Sequence, residues 1–139
     1  MLMSTPRPTN VRPIQPIRVV LASRDRRFVR VMALLLEQRR FEVHRTTRTD
    51  PSLLTVVERH RPHVVLLDAT SSLADAGRAA TAIGGLHDQV RLVIAKDEGS
   101  DGLKGFRSVD KWSPIEDLAA ELELEFMQMP RSAVAAPAF

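Results

Sequence analysis

The chain has no cysteine among its 139 residues. That excludes disulfides, thiolate zinc sites and thiol catalysis. No apolar run approaches the roughly 18 residues of a membrane span, and the N-terminus has Arg and Pro but no apolar segment of the kind a secretory signal needs. The expectation is a cytoplasmic protein with no membrane partner. Aromatics are scarce, at 4 %, which leaves few rings for a base-stacking surface. No Gly-rich segment carries the Lys-Ser/Thr of a phosphate loop: Gly84-Gly85 and Gly99-Ser100-Asp101-Gly102 are turn chemistry. Ser72, His87 and Asp88 have no triad context. His60 and His63 flank a Pro and read as structural or exposed, not as metal ligands.

Acidic charge is short in the first half. Up to Arg61 there are 13 basic against 5 acidic residues, a balance of +8; beyond it 7 face 12, a balance of −5. Such polarity can steer an acidic partner to one side, or it is only a solvated surface. The length points to one domain with tails. Residues 1–16, with four prolines, read as a flexible arm; residues 17–129 form the domain; residues 130–139 read as a disordered Ala/Pro tail.

What the chain does have is alternation. His63-Val64-Val65-Leu66-Leu67-Asp68 is a continuous apolar run ending on an acid, the pattern of a strand buried on both faces. Ile17–Ala22 reads as a first strand, Phe41–Thr46 as a second with one wet face, Val90–Ala95 as a fourth and Gly105–Asp110 as a weaker fifth. Between them, Phe28, Val31, Met32, Leu35 and Leu36 recur at helical spacing over Arg26–Arg39, with Asp25 or Ser23 as the cap. Asp50-Pro51 opens a helix that Arg61-Pro62 ends. Ala74–Ile83 is a small-residue helix that Gly84-Gly85 should close. Ser113-Pro114-Ile115-Glu116 has the form of a helix start with Ser as cap, Pro first and Glu third, leading through Leu118, Leu122, Leu124 and Phe126 to about Met129. The stretch from Asp97 to Gly105 is too polar and glycine-rich for a good helix. Strands alternating with helices through short loops predict a parallel α/β sheet with helices on both faces. The natural arrangement at this length is the flavodoxin-like order 2-1-3-4-5, in which chemistry sits beyond the carboxyl ends of the strands.

With that order, the chain resembles the receiver domain of bacterial response regulators over about Ile17 to Met129. The residues that carry the resemblance are Arg18-Val19-Val20-Leu21-Ala22, Arg61-Pro62-His63-Val64-Val65-Leu66-Leu67-Asp68, Gly77, and Lys111 with Leu118 beyond it. The resemblance implies a CheY-like fold with Asp68 at the phosphoacceptor position and Lys111 at the position of the phosphoryl-contacting lysine. It also exposes departures. Receivers carry two metal-holding acids after the first strand, where this chain has Ser23-Arg24 and its only acid, Asp25, one place late. The hydroxyl at the end of the fourth strand is replaced by Ala95, followed by Lys96. The aromatic switch position is Ser108, Trp112 follows the lysine, and the fourth helix is shortened.

Mg²⁺ takes a tight octahedron of oxygen ligands, so Ser23-Arg24 leaves a poor magnesium site, and no metal or other cofactor is expected. The implied function is non-enzymatic: a stand-alone pseudo-receiver with no room for an output domain, acting without phosphorylation by docking on another signalling or regulatory protein, or on itself. One alternative is an atypical phosphorelay regulator phosphorylated on Asp68; another is a basic nucleic-acid or ligand binder. The pocket is expected to gather Ser23, Arg24, Asp25, Ala95, Lys96 and Lys111 around Asp68, with Arg24 or Lys111 paired to it. The interaction surface is expected along Asp97 to Lys111 and the last helix, with Phe106, Ser108 and Trp112. A stripe of Leu122, Phe126, Met127 and Met129 serves either the core or a partner.

Overall fold

A computed structural model describes residues 15–86 and 89–128. Most of the arm and all of the tail read from the sequence, together with His87, Asp88 and Met129, lie outside the described residues. The elements are β1 (Ile17–Ala22), α1 (Arg26–Glu37), β2 (Phe41–Thr46), α2 (Leu53–His60), β3 (Val64–Asp68), α3 (Leu73–Leu86), β4 (Arg91–Lys96), β5 (Arg107–Asp110) and α4 (Ile115–Met127). The five strands form one sheet in the order β2-β1-β3-β4-β5, and every pairing is parallel. The expected flavodoxin-like topology is the one observed.

The apolar pattern explains the layers. All five residues of β3 are buried, so both faces of this central strand need cover. Val64 and Leu66 face α1 and α4; Val65 and Leu67 face α2 and α3. Helix α1 buries Phe28, Met32, Ala33 and Leu36, one stripe at helical spacing. Asp25 caps it, its Oδ1 accepting from the backbone N–H of Arg27 (3.1 Å) and Phe28 (3.2 Å), two of the groups that every helix start leaves orphaned. Arg61 stops α2 in a left-handed conformation, φ 47°, and Pro62 follows, unable to continue a helix.

Three local expectations are corrected. Gly84-Gly85 do not close α3, which runs on to Leu86; neither glycine has a positive φ, so the left-handed stop that glycine enables is not used. Ser113 does not cap α4: its Oγ donates to the Asp110 carbonyl (2.7 Å), and the Pro114 carbonyl accepts from Asp117 and Leu118 at the helix start. Finally, the segment between β4 and β5 holds no helical turn, shortened or otherwise. Gly99, Gly102 and Gly105 all have positive φ there. Gly102 matters most: its φ is +68°, and a Cβ in its place would overlap Ser108 Oγ, so a side chain is barred on both counts.

Candidate functional site

Parallel pairing brings the carboxyl ends of β1, β3, β4 and β5 to one edge. Asp68 is in register with Ala95, the Ala69 N–H donates to the Ala95 carbonyl (2.9 Å), and the Lys111 N–H donates to the Lys96 carbonyl (2.8 Å). Ser23 follows β1 and its N–H donates to the Thr46 carbonyl (3.0 Å). The ends of distant strands thus assemble one polar pocket at the position where open α/β sheets place their chemistry.

Asp68 is the centre, 1 % exposed. Its Oδ2 accepts from Ser23 Oγ (2.6 Å) and lies 3.1 Å from Lys111 Nζ. Its Oδ1 accepts from the Thr70 N–H (2.9 Å) and Thr70 Oγ1 (2.7 Å). Both oxygens are therefore engaged, as a buried carboxylate requires. Lys111 Nζ is shared: it sits 2.8 Å from Asp25 Oδ2, donates to Thr70 Oγ1 (3.2 Å), and lies 5.3 Å from the Phe28 ring centroid. The Asp25 N–H donates to Ser23 Oγ (3.0 Å), which closes a ring of contacts from Ser23 through Asp68 and Lys111 to Asp25.

The electrostatics follow from this bridge. Burial works against the Lys111 ammonium, but its hydrogen bonds to Asp25 and Asp68 and their charges outweigh that cost, so its pKa is raised. The Asp25 carboxyl is held below its usual range by the hydrogen bond from Lys111 first and the Phe28 N–H second, against a smaller desolvation effect.

Of the two cations proposed for Asp68, only Lys111 pairs with it. Arg24 is exposed and makes no ion pair among the described residues; the turn carries its side chain outward, where guanidinium hydration is retained. Lys96 also turns away from Asp68, to Asp110 Oδ1 (2.8 Å). Ala95 lines the pocket edge as a buried apolar residue and supplies no hydroxyl. Thr70 was not singled out in the sequence, although Asp-x-Thr is a recognisable Asx-turn pattern.

The surface expected around Phe106, Ser108 and Trp112 is divided. Phe106 packs against the α2/α3 side of the sheet, and Ser108 faces Gly102. Trp112 is 53 % exposed and meets buried Phe28, of the opposite layer, edge-to-face at 5.3 Å. Leu122 is core, whereas Phe126 and Met127 are exposed. The described histidines have structural partners: His44 stacks on His60 with centroids 3.5 Å apart, and His63 Nδ1 accepts from the Arg18 N–H (2.9 Å).

Magnesium fits this donor set poorly. The two carboxylates in reach share an ammonium, the Ser23 oxygen already accepts from the Asp25 N–H, and a cation would have to displace Lys111 from both acids. Among the described residues no group of three or more His, Asp or Glu is placed to hold a metal ion.

No family model and no curated protein matches the chain. Solved structures do. The BeF3-activated N-terminal receiver domain of RstA from Klebsiella pneumoniae is 23 % identical, with 80 % of this chain and 99 % of that one covered and a TM-score of 0.69. A CheY-like response regulator receiver domain protein from Methanospirillum hungatei JF-1 is 13 % identical, covering 80 % and 94 %, with a TM-score of 0.68. The CheX–CheY–BeF3–Mg complex from Borrelia burgdorferi matches at 16 % identity, 81 % and 91 % coverage and a TM-score of 0.70.

Proposed function

From the receiver fold as premise, we propose that this chain is a signalling or regulatory module that works by protein–protein contact without being phosphorylated. The observation that carries the reading is the Lys111 bridge. In a phosphoryl-accepting site the aspartate must be free to attack, and the charge that develops must be neutralised by positioned cations. Here Asp68 has both oxygens occupied, and Lys111, its one cation among the described residues, is divided with Asp25. Ala95 provides no hydroxyl to follow a phosphoryl group, and Ser108 no ring to rotate with it. The pocket is therefore held in one state by its own side chains, and the domain acts as a constitutive docking unit. The Borrelia burgdorferi complex, in which a receiver-fold chain is bound to another protein, supports the partner mode. The partner is another regulatory or signalling protein.

The test is incubation with acetyl phosphate and Mg²⁺, followed by intact-mass measurement. The expected result is no phosphoryl adduct. An adduct that disappears in Asp68→Asn would overturn the reading in favour of an atypical phosphorelay regulator.

A further inference from the structure

The sheet edge at β2 carries a basic groove. Arg26, Val29 and Arg30 of α1 form one wall and Arg45, Thr46 and Thr47 the other, around a volume of about 490 Å³. The three arginines are exposed, and none has an ion-pair partner among the described residues.

This arrangement works against the isolated fold. The first turn of α1 has no acidic residue, although the positive end of a helix favours acids and disfavours cations. Arg26 and Arg30 are four residues apart on one helix, a repulsive spacing for like charges. Arg45 continues the Phe41-Val43 side of β2, the side that packs with α1, so a third guanidinium is added to the same seam. The nearest acid at this helix start, Asp25, is spent on Lys111 and on the cap. Local choices that oppose the fold are expected where a surface serves a partner.

We propose that this groove is the docking site for an acidic segment of a partner protein, with Arg26, Arg30 and Arg45 gripping its carboxylates. Guanidinium forks match carboxylates in two-point contacts, and Val29 with the arginine stems gives an apolar floor for the segment's own side chains. A nucleic acid suits the groove less well, because no aromatic lines it for base stacking. The inference rests on the reading of the domain as an interaction module and deepens it by naming the partner's chemistry.

The experiment uses the full chain, a fluorescein-labelled Glu/Asp decapeptide and a labelled single-stranded DNA, with fluorescence anisotropy and amide NMR shifts. The expected result is decapeptide binding that weakens with salt, moves the amides of residues 26–30 and 45–47, and falls by about tenfold or more in the Arg26→Gln/Arg30→Gln/Arg45→Gln variant. That variant should melt no lower than wild type, since only mutually repelling exposed charges are removed. Equal decapeptide affinity in the variant, shifts elsewhere, or tighter binding of the DNA at the same groove would overturn the proposal. Phosphorylation of Asp68 would overturn the module reading alone, so the two failures are distinguishable.

Discussion

Lys111→Met removes the ammonium from two carboxylates and leaves Asp68 charged in a site with no exposure of its side chain. Breaking a buried pair from one side costs about 3–5 kcal/mol. Two features reduce that here. Asp68 keeps its hydrogen bonds from Ser23 and from the Thr70 N–H and hydroxyl, and Lys111 itself is at the pocket rim, with 10 % of its side chain exposed. The expected loss is therefore about 2–3 kcal/mol. Asp68→Asn leaves Lys111 its contact with Asp25 and should cost less, about 1–2 kcal/mol. If the pair is a unit, the double variant loses less than the sum, with a coupling energy of about 1–2 kcal/mol. The assay is urea unfolding of wild type, both single variants and the double variant, with unchanged m-values as the check on two-state behaviour. A coupling energy below about 0.5 kcal/mol would refute the bridge as the element that fixes the pocket. The pH dependence has a definite sign. Lys111 has a raised folded pKa, so its contribution is fully present below the ordinary value of 10.5 and is lost as pH rises through the folded one. Asp25 has a lowered folded pKa, so its contribution is present above the ordinary value of 3.8 and fades as pH falls through the folded one. Between those limits the bridge should be insensitive to pH.

Three further outcomes are expected. His63 is kept neutral by burial and by the charge of Arg18, so stability should fall as pH drops from about 6.5 through the lowered folded pKa; denaturant melts at several pH values should show a flatter profile in His63→Asn, which keeps an acceptor for the Arg18 N–H. Gly102→Ala should cost about 1–3 kcal/mol through its positive φ and the overlap with Ser108, and adding Ser108→Ala should recover part of that in thermal melts. Trp112→Ala should cost about 1 kcal/mol from the edge contact with Phe28; a calorimetric melt unchanged from wild type would mean that the indole contributes nothing to the fold.

Much of the architecture was legible because it is local. The Val64–Leu67 run, the stripe from Phe28 to Leu36 and the stop at Arg61-Pro62 each follow from side-chain period and backbone chemistry, and the strand order followed from the alternation of elements. The resemblance placed Asp68 and Lys111 in one pocket. Which cation meets Asp68 could not be read from the residues: Arg24 and Lys111 both suit a carboxylate, and only the direction of the turn after β1 sends one outward and leaves the other within reach. Asp25 acquired its contact with Lys111 the same way, from strand ends converging across the sheet; Thr70 meets Asp68 locally, two residues on, and needs the sheet only for its contact with Lys111. Nor did spacing along the chain reveal that Phe106 and Trp112 belong to opposite layers, because Phe106 precedes β5 and Trp112 sits in the turn that follows it. Gly84-Gly85 carried the local signal for a helix end, yet α3 continues to Leu86. Periods, caps and turns are written in neighbouring residues. Contacts between residues dozens of positions apart depend on how strands stack and loops turn, and those were decided only when the sheet closed on its two layers of helices.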